Sequence, residues 1–279
     1  MNYRLFFILL FLCSSILYPQ TNSDPRMIGL TGAYTTLASG YQSVGVNPAN
    51  LSVYQDNSMN IFNIALGFNS NSLSISNYNA LSGSNLEDST SINYYPKSDF
   101  INSFNNRGIR FMHHYKIPIP FINLSLKNFA ITTNLNNNID FGLPDGLLRL
   151  LFYGNTIGSD INIEMEQFIS NTQDFGVSYS YLFDNISFGF SFKYLLGLFY
   201  MGMESIGDPG IKTEITGFSG QNKYLIQQAI GGGGLGLDIG MSTTMPNNGY
   251  RFGISIVNLL GTIEWSQEHF MRSQLENSI

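Results

Sequence analysis

FGVSYSYLF at residues 175–183, DN at 184–185 and ISFGFSFKYLL at 186–196 form the stretch that decides the fold. Phe175, Val177, Tyr179, Tyr181 and Phe183 alternate with Gly176, Ser178, Ser180 and Leu182. Ile186, Phe188, Phe190, Phe192, Tyr194 and Leu196 alternate with Ser187, Gly189, Ser191, Lys193 and Leu195. Side chains on a strand point to opposite faces with period two, so one face is aromatic and the other small and polar. A two-residue loop at Asp184-Asn185 fixes the register. It pairs Phe183 with Ile186, Tyr181 with Phe188, Tyr179 with Phe190 and Val177 with Phe192. On the other face it sets Ser180 beside Gly189 and Ser178 beside Ser191.

A soluble sandwich would bury the aromatic face and charge the other. Here the other face holds Gly and Ser with a single Lys193. Strands that span a bilayer are about 9–11 residues long, with apolar side chains outward and small or polar ones inward. Both segments fit that description. The format recurs: Leu235, Leu237, Ile239, Met241 and Thr243 alternate with Gly236, Asp238, Gly240 and Ser242. After the turn Pro246-Asn247-Asn248-Gly249, Tyr250, Phe252, Ile254 and Ile256 alternate with Arg251, Gly253, Ser255 and Val257. Phe62, Ile64, Leu66 and Phe68 repeat it, and Leu124, Leu126, Phe129 and Ile131 flank a tight turn at Lys127-Asn128. The expected fold class is all-β, a transmembrane antiparallel β-barrel with a short N-terminal helical plug.

Composition agrees. Of 279 residues, 11% are charged, against about 25% in ordinary soluble domains. Mean hydropathy is only +0.02, and no stretch beyond the N-terminus is long and apolar enough for a helical span. Low charge without a spanning helix is what a barrel produces. A net charge of −6 argues against nucleic acid, which needs a basic stripe.

Asn2, Tyr3 and Arg4 precede an apolar run from Leu5 to Leu12, the size of a secretory h-region. The organisation read from this is a signal peptide at 1–21, a plug at 22–57 and a barrel at 58–279. Cys13, the single cysteine, leaves with the signal, because Leu12 stands where an acylated Cys needs a small neighbour.

The segment after the signal is built differently. Gly29, Gly32, Ala33 and Thr36 permit close packing of a helix-like piece. Asn47 suits an N-cap, with Pro48 at the first helical position. Gly29, Gly32, Ala33, Tyr34, Gly40, Asn47, Pro48 and Ala49 together resemble the N-terminal signature of the long-chain fatty-acid outer-membrane transporter family and its relatives. Those relatives include the barrel subunit of the type IX secretion system and uncharacterised outer-membrane families. In them a glycine-rich segment runs into an Asn-Pro-Ala turn inside the barrel. The middle of the chain, with Gly142-Leu143-Pro144 leading into Leu147–Phe152, looks like one of the uncharacterised branches. There Asp145 can cap a short helix and Gly154 can end it. The resemblance implies an outer membrane of a Gram-negative-type bacterium as the location.

The chain departs from that family at its end. Ser266–Ile279 is polar and unpatterned, and about ten or eleven candidate strands are countable, fewer than the transporters imply. Truncation, an unusual closure or closure by association would account for this, and truncation is the preferred reading.

Chemistry is not evident. His113 and His114 are adjacent and face opposite sides of a strand. Glu164 and Glu166 share a strand face and read as solvated. Gly231–Gly236 fits a dinucleotide pattern, but it opens a strand and not a helix. The expectation is no enzyme, no cofactor and no metal. Lys193, Asp238 and Arg251 alternate away from the apolar residues and are the lumen candidates. The polar stretches Ser82–Arg107 and Gly202–Gln228 read as external loops or a cap.

The resemblance implies two functions. One is a passive channel for hydrophobic or amphipathic small molecules, with Gly29–Leu51 as an internal plug. The other is a barrel that docks protein partners in secretion or outer-membrane assembly. Expected partners are outer-membrane lipid, a hydrophobic small-molecule ligand or a protein, and not nucleic acid.

Overall fold

The computed structural model describes residues 25–30, 32–104, 108–154, 156–244, 249–266 and 270–278. The expected signal peptide with Cys13, plug residues 22–24, Arg107, the turn residues Pro246, Asn247 and Asn248, and Gln267, Glu268 and His269 lie outside them.

Chain order begins with helix α1 (Pro25–Gly29), a 3-10 turn (Gly40–Ser43) and α2 (Asn50–Tyr54). Strands β1 (Ser58–Met59) and β2 (Ala65–Ser70) precede helices α3 (Ile75–Leu81) and α4 (Lys97–Asn102). Then come β3 (Ile109–Pro118), β4 (Leu124–Leu126), β5 (Phe129–Leu143), α5 (Asp145–Tyr153), β6 (Asp160–Asn162), β7 (Glu166–Phe183) and β8 (Ile186–Ser205). The chain continues through β9 (Gly210–Glu214), β10 (Gly217–Thr243), β11 (Gly253–Ile256), β12 (Glu264–Trp265) and β13 (Phe270–Ser278).

All thirteen strands belong to one sheet, and every named strand pair is antiparallel. Its spine is the meander β2–β3–β5–β7–β8–β10. The β7–β8 register is the one the two-residue loop dictates, with Phe183 opposite Ile186, Tyr179 opposite Phe190 and Ser178 opposite Ser191. Asp184 makes the turn at φ 52°, a left-handed value that Asp tolerates. Lys127 does the same at φ 50°, and Leu126 meets Phe129 across it. The long strands carry several shorter partners on one edge. β5 pairs with β4 at Phe129–Ile131 and with β3 at Asn134–Leu143. β10 pairs in turn with β13, β12 and β11.

The burial is inverted relative to a soluble sheet. Ser178, Ser180, Ser187 and Ser191 are fully buried, while Phe183, Phe192, Tyr181 and Val177 on the opposite face are exposed. A conventional apolar core lies elsewhere. Phe100, Ile101 and Phe104 pack against Leu148 of α5, with Phe100 edge-on to Phe104 at 5.0 Å between ring centres. This cluster ties Ser82–Phe104 to α5 as a cap beyond the strand ends.

The expected all-β antiparallel architecture is what the structure has, and the sheet is not closed on itself among the described residues. Several other expectations are corrected. Gly202–Gln228 is not a loop, because β8, β9 and β10 run through it; its exposed, half-buried and buried positions follow no period of two. The polar end of the chain is β13, hydrogen-bonded to Gln221–Ala229. Thirteen strands are present among the described residues, against the ten or eleven expected; β1, β6 and β12 have only two or three residues, too few to show alternation. Phe62 and Ile64 precede β2 and are not part of it. Asp145 does not cap α5; Pro144 holds that position and Asp145 accepts from Arg149 Nε at 2.7 Å. Gly154 ends the helix at φ 72°, as read. Gly29 and Gly32 allow no close packing, since nothing lies within 4 Å of where their side chains would be; Gly32 instead makes a turn at φ 89°.

Candidate functional site

The buried Ser/Gly face is covered by residues 33–54. This is possible because glycine and serine leave room for backbone to approach backbone. A Cβ at Gly189 would overlap the backbone of Pro48 and Ala49, and one at Gly240 would overlap the Asn47 side chain. One at Gly253 would lie 2.7 Å from Thr36 Cγ2. The serines supply the polar contacts that such an approach requires. Ser187 Oγ donates to Ala49 O at 2.6 Å and meets Ser52 Oγ, and Ser255 Oγ donates to Val46 O at 2.6 Å.

Asn47, Pro48 and Ala49 form the centre of this contact. Asn47 Oδ1 accepts from Ala49 N at 3.1 Å, and Asn47 Nδ2 donates to Met241 O of β10 at 3.1 Å. The α-helix itself begins at Asn50, later than the cap reading places it, but Asn50 N donates to Asn47 O and Leu51 N to Pro48 O. Asn50 Nδ2 donates to Thr35 O and Ala38 O, which folds the two halves of the segment together. Gly40, at φ 57°, leaves the space taken by Ser58 Oγ. Tyr34 is buried and Ala33 exposed. Of the eight motif residues, Gly40, Asn47, Pro48 and Ala49 make the contacts with the sheet, and Gly29 and Gly32 do not.

The lumen candidates separate into two places. Lys193 Nζ lies 2.6 Å from Asp238 Oδ2, and Asp238 is fully buried. Lys193 Nζ also donates to Asn258 Oδ1 at 3.1 Å, while Asn258 N donates to Asp238 Oδ1 at 2.8 Å. Arg251 lies apart from them. Its guanidinium stacks 4.6 Å over the Tyr54 ring and bonds the phenol oxygen, and Tyr54 in turn donates to Thr36 O at 2.7 Å.

Comparison of the sequence with known families finds a match over residues 48–207. The chain belongs to a family of unknown function (DUF5723). The match runs from the Pro-Ala turn through the whole of β7 and β8. No curated protein and no solved structure matches the chain. The family match therefore brings no activity with it, and the remaining reading rests on the side chains.

At the far end of the strands, away from the β7–β8 turn, a cavity of about 780 Å³ lies between β3, α5 and the start of β7. Arg110 on its wall forms a bidentate pair with Asp140, with Nε–Oδ1 at 3.0 Å and Nη2–Oδ2 at 2.8 Å. The Asp140 hydrogen bonds push the Arg110 pKa up, against the opposing effect of burial. Glu166, read as solvated, also reaches Arg110 at 3.4 Å, and Glu164 precedes β7 and so does not share its face. His114 Nδ1 lies 2.6 Å from Asn138 Oδ1, and His113 sits on the other face beside Tyr115. Gly232, Gly234 and Gly236 of the glycine run form strand; a Cβ at Gly234 would overlap Thr262 O, so the run admits the crossing segment 258–265. Sequence reasoning missed Ser187, Ser255, Gly189 and Gly253 as contacts of residues 33–54. Their alternation was visible, but what they face was not.

Proposed function

We propose that this chain is an outer-membrane protein that forms a β-barrel around its own N-terminal segment and acts as a plugged conduit for small molecules. The observation that carries the reading is the inverted burial: a belt of exposed aromatic and aliphatic side chains backs onto a buried Ser/Gly face. In water such a belt is unfavourable at about 25 cal/mol per Å² of apolar surface, whereas lipid removes that cost. From Phe175 to Phe183 the belt covers about 27 Å along the strand, or about 21 Å along the membrane normal at a tilt of about 40°. That suits an apolar band about 25 Å tall. Residues 33–54 fill the inner side near the tight turns at Asp184 and Lys127, the end that faces the periplasm in this reading. No described helix is long and apolar enough to cross a membrane.

The second reading, docking of protein partners, draws on a different observation. β10 has 27 residues, about 90 Å if straight, several times what a bilayer requires. β8, β9, β10 and β13, with the α4–α5 cap, would project as a structured body beyond the membrane.

The test is gel mobility of the purified protein before and after boiling, combined with flotation on liposomes. A compact band that slows on boiling, from protein that floats, supports the reading. Protein that stays in solution without detergent and shows no shift overturns it.

A further inference from the structure

Above the N-terminal segment, the inward face of β3, β5 and β7 carries a run of hydrogen-bonding side chains with a cavity at each end. Asn134 stands opposite Asp174, Asn136 opposite Lys116 and Thr172, and Asn138 opposite His114 and Ser170. These positions have the same parity as Thr132 and Gly176, so they continue the face against which residues 33–54 pack. Asn134 Nδ2 and Asn136 Nδ2 both donate to Asp174, at 2.7 and 3.0 Å. His114 and Asn138 are joined at 2.6 Å, and the Arg110–Asp140 pair follows one step further. The run opens at its outer end into the 780 Å³ cavity beside Arg110 and Glu166. At its inner end Lys116 and Asn134 meet Tyr41 and Gln42 around a cleft of about 60 Å³.

We infer that this face is a binding track for a neutral polyhydroxylated solute, of the oligosaccharide class, entering from the outer cavity and stopping at the N-terminal segment. The inference rests on the face being the interior of the proposed conduit. Three observations favour that class. A carboxamide offers donors and an acceptor together, the pattern that a sugar hydroxyl matches with both its own donor and its lone pairs. Both signs of charge stand along the run: Arg110 pairs with Asp140, and Lys116 and Asp174 occupy adjacent levels, with Asp174 also accepting from two asparagines. Such a wall has little net field with which to select an ion. A hydrocarbon chain on the same wall would strip water from amide groups and return no hydrogen bonds, which is unfavourable. Met112 and Phe168, level with Asp140, are the apolar exceptions, and they leave the asparagine levels unchanged. The outer cavity lies within the roughly 300–1,000 Å³ typical of small-molecule sites.

The experiment is saturation-transfer NMR on the full chain in detergent, with maltohexaose as the probe and oleate as the competitor. Wild type should show saturable maltohexaose binding that oleate does not displace. Asn136→Leu combined with Asn138→Leu should weaken it at least tenfold. Asn171→Leu, whose position has the outward parity opposite Asn137, should leave it unchanged. Absence of saturable binding, displacement by oleate, or binding untouched in the double leucine variant would overturn the proposal. Boiling-dependent mobility of each variant reports folding separately. If wild type binds the sugar but neither floats nor shifts, the membrane reading fails and the track remains.

Discussion

Asn47 occupies the space that a side chain at Gly240 would need, and its Nδ2 donates to the neighbouring Met241 carbonyl at 3.1 Å. The two positions are 194 residues apart between Asn47 and Met241, so one amide locks the N-terminal segment to the far side of the sheet. Gly189 plays the same part against the backbone of Pro48 and Ala49, where no side-chain movement can relieve a clash. Gly189→Val and Gly240→Val should each lower stability by about 1–3 kcal/mol or more, as overpacking does. Gly29→Ala, with open space around it, should be neutral. Urea midpoints in detergent micelles measure the difference.

A charge on the aromatic belt distinguishes lipid from water as its neighbour. Phe190 is exposed and packs with Tyr179 at 5.9 Å between ring centres. In the proposed setting Phe190→Lys should reduce folding into liposomes by about 2–4 kcal/mol, the mid-depth cost of a cation facing lipid. On a water-exposed face the same change would instead improve solubility. Folding yield against urea, read by the boiling-dependent band, separates the two.

The β7–β8 hairpin was legible because its signal is local: strict alternation over two segments and a loop too short to permit another register. The contacts of Ser187, Gly189 and Gly240 with residues 47–52 were not. Sequence shows that a face is small, but not which distant segment fills it. Gly202–Gln228 and β13 were missed for another reason. Apolar and polar residues do not alternate with period two in either stretch, so the sequence leaves no strand signal. The asparagines at 134, 136 and 138 carry no sequence signal of a site; only the register places them on one side with Asp174 and His114. The Lys193–Asp238 pair was partly legible, since parity put both residues inward, but Asn258 joins them through a turn at φ 57° that lies outside any strand.

The cap carries a local titration. Thr90 donates its hydroxyl and its N–H to Asp88 Oδ1, at 2.7 and 2.9 Å, and these bonds hold the Asp88 carboxyl below its ordinary range. A lowered folded-state value means the turn is favoured above the unfolded Asp pKa and loses that support as pH falls through the folded one. The Asp88 carboxyl resonance should titrate below the unfolded reference, and Thr90→Val should move it back up. A midpoint unaffected by Thr90→Val would remove the hydroxyl as its cause.

Lys193 and Asp238 form a buried ion pair, with side-chain exposures of 10% and 0%. Removing one partner should therefore cost more than removing both. Lys193→Met leaves a buried carboxylate without its counter-charge, an effect of about 3–5 kcal/mol. Lys193→Met with Asp238→Asn should recover much of that, because the asparagine keeps an oxygen for Asn258 N while losing the charge. A double-mutant cycle on urea midpoints gives the coupling. If the two single effects simply add, the pair is exchanging with solvent and does not anchor the 258–265 crossing over the glycine run.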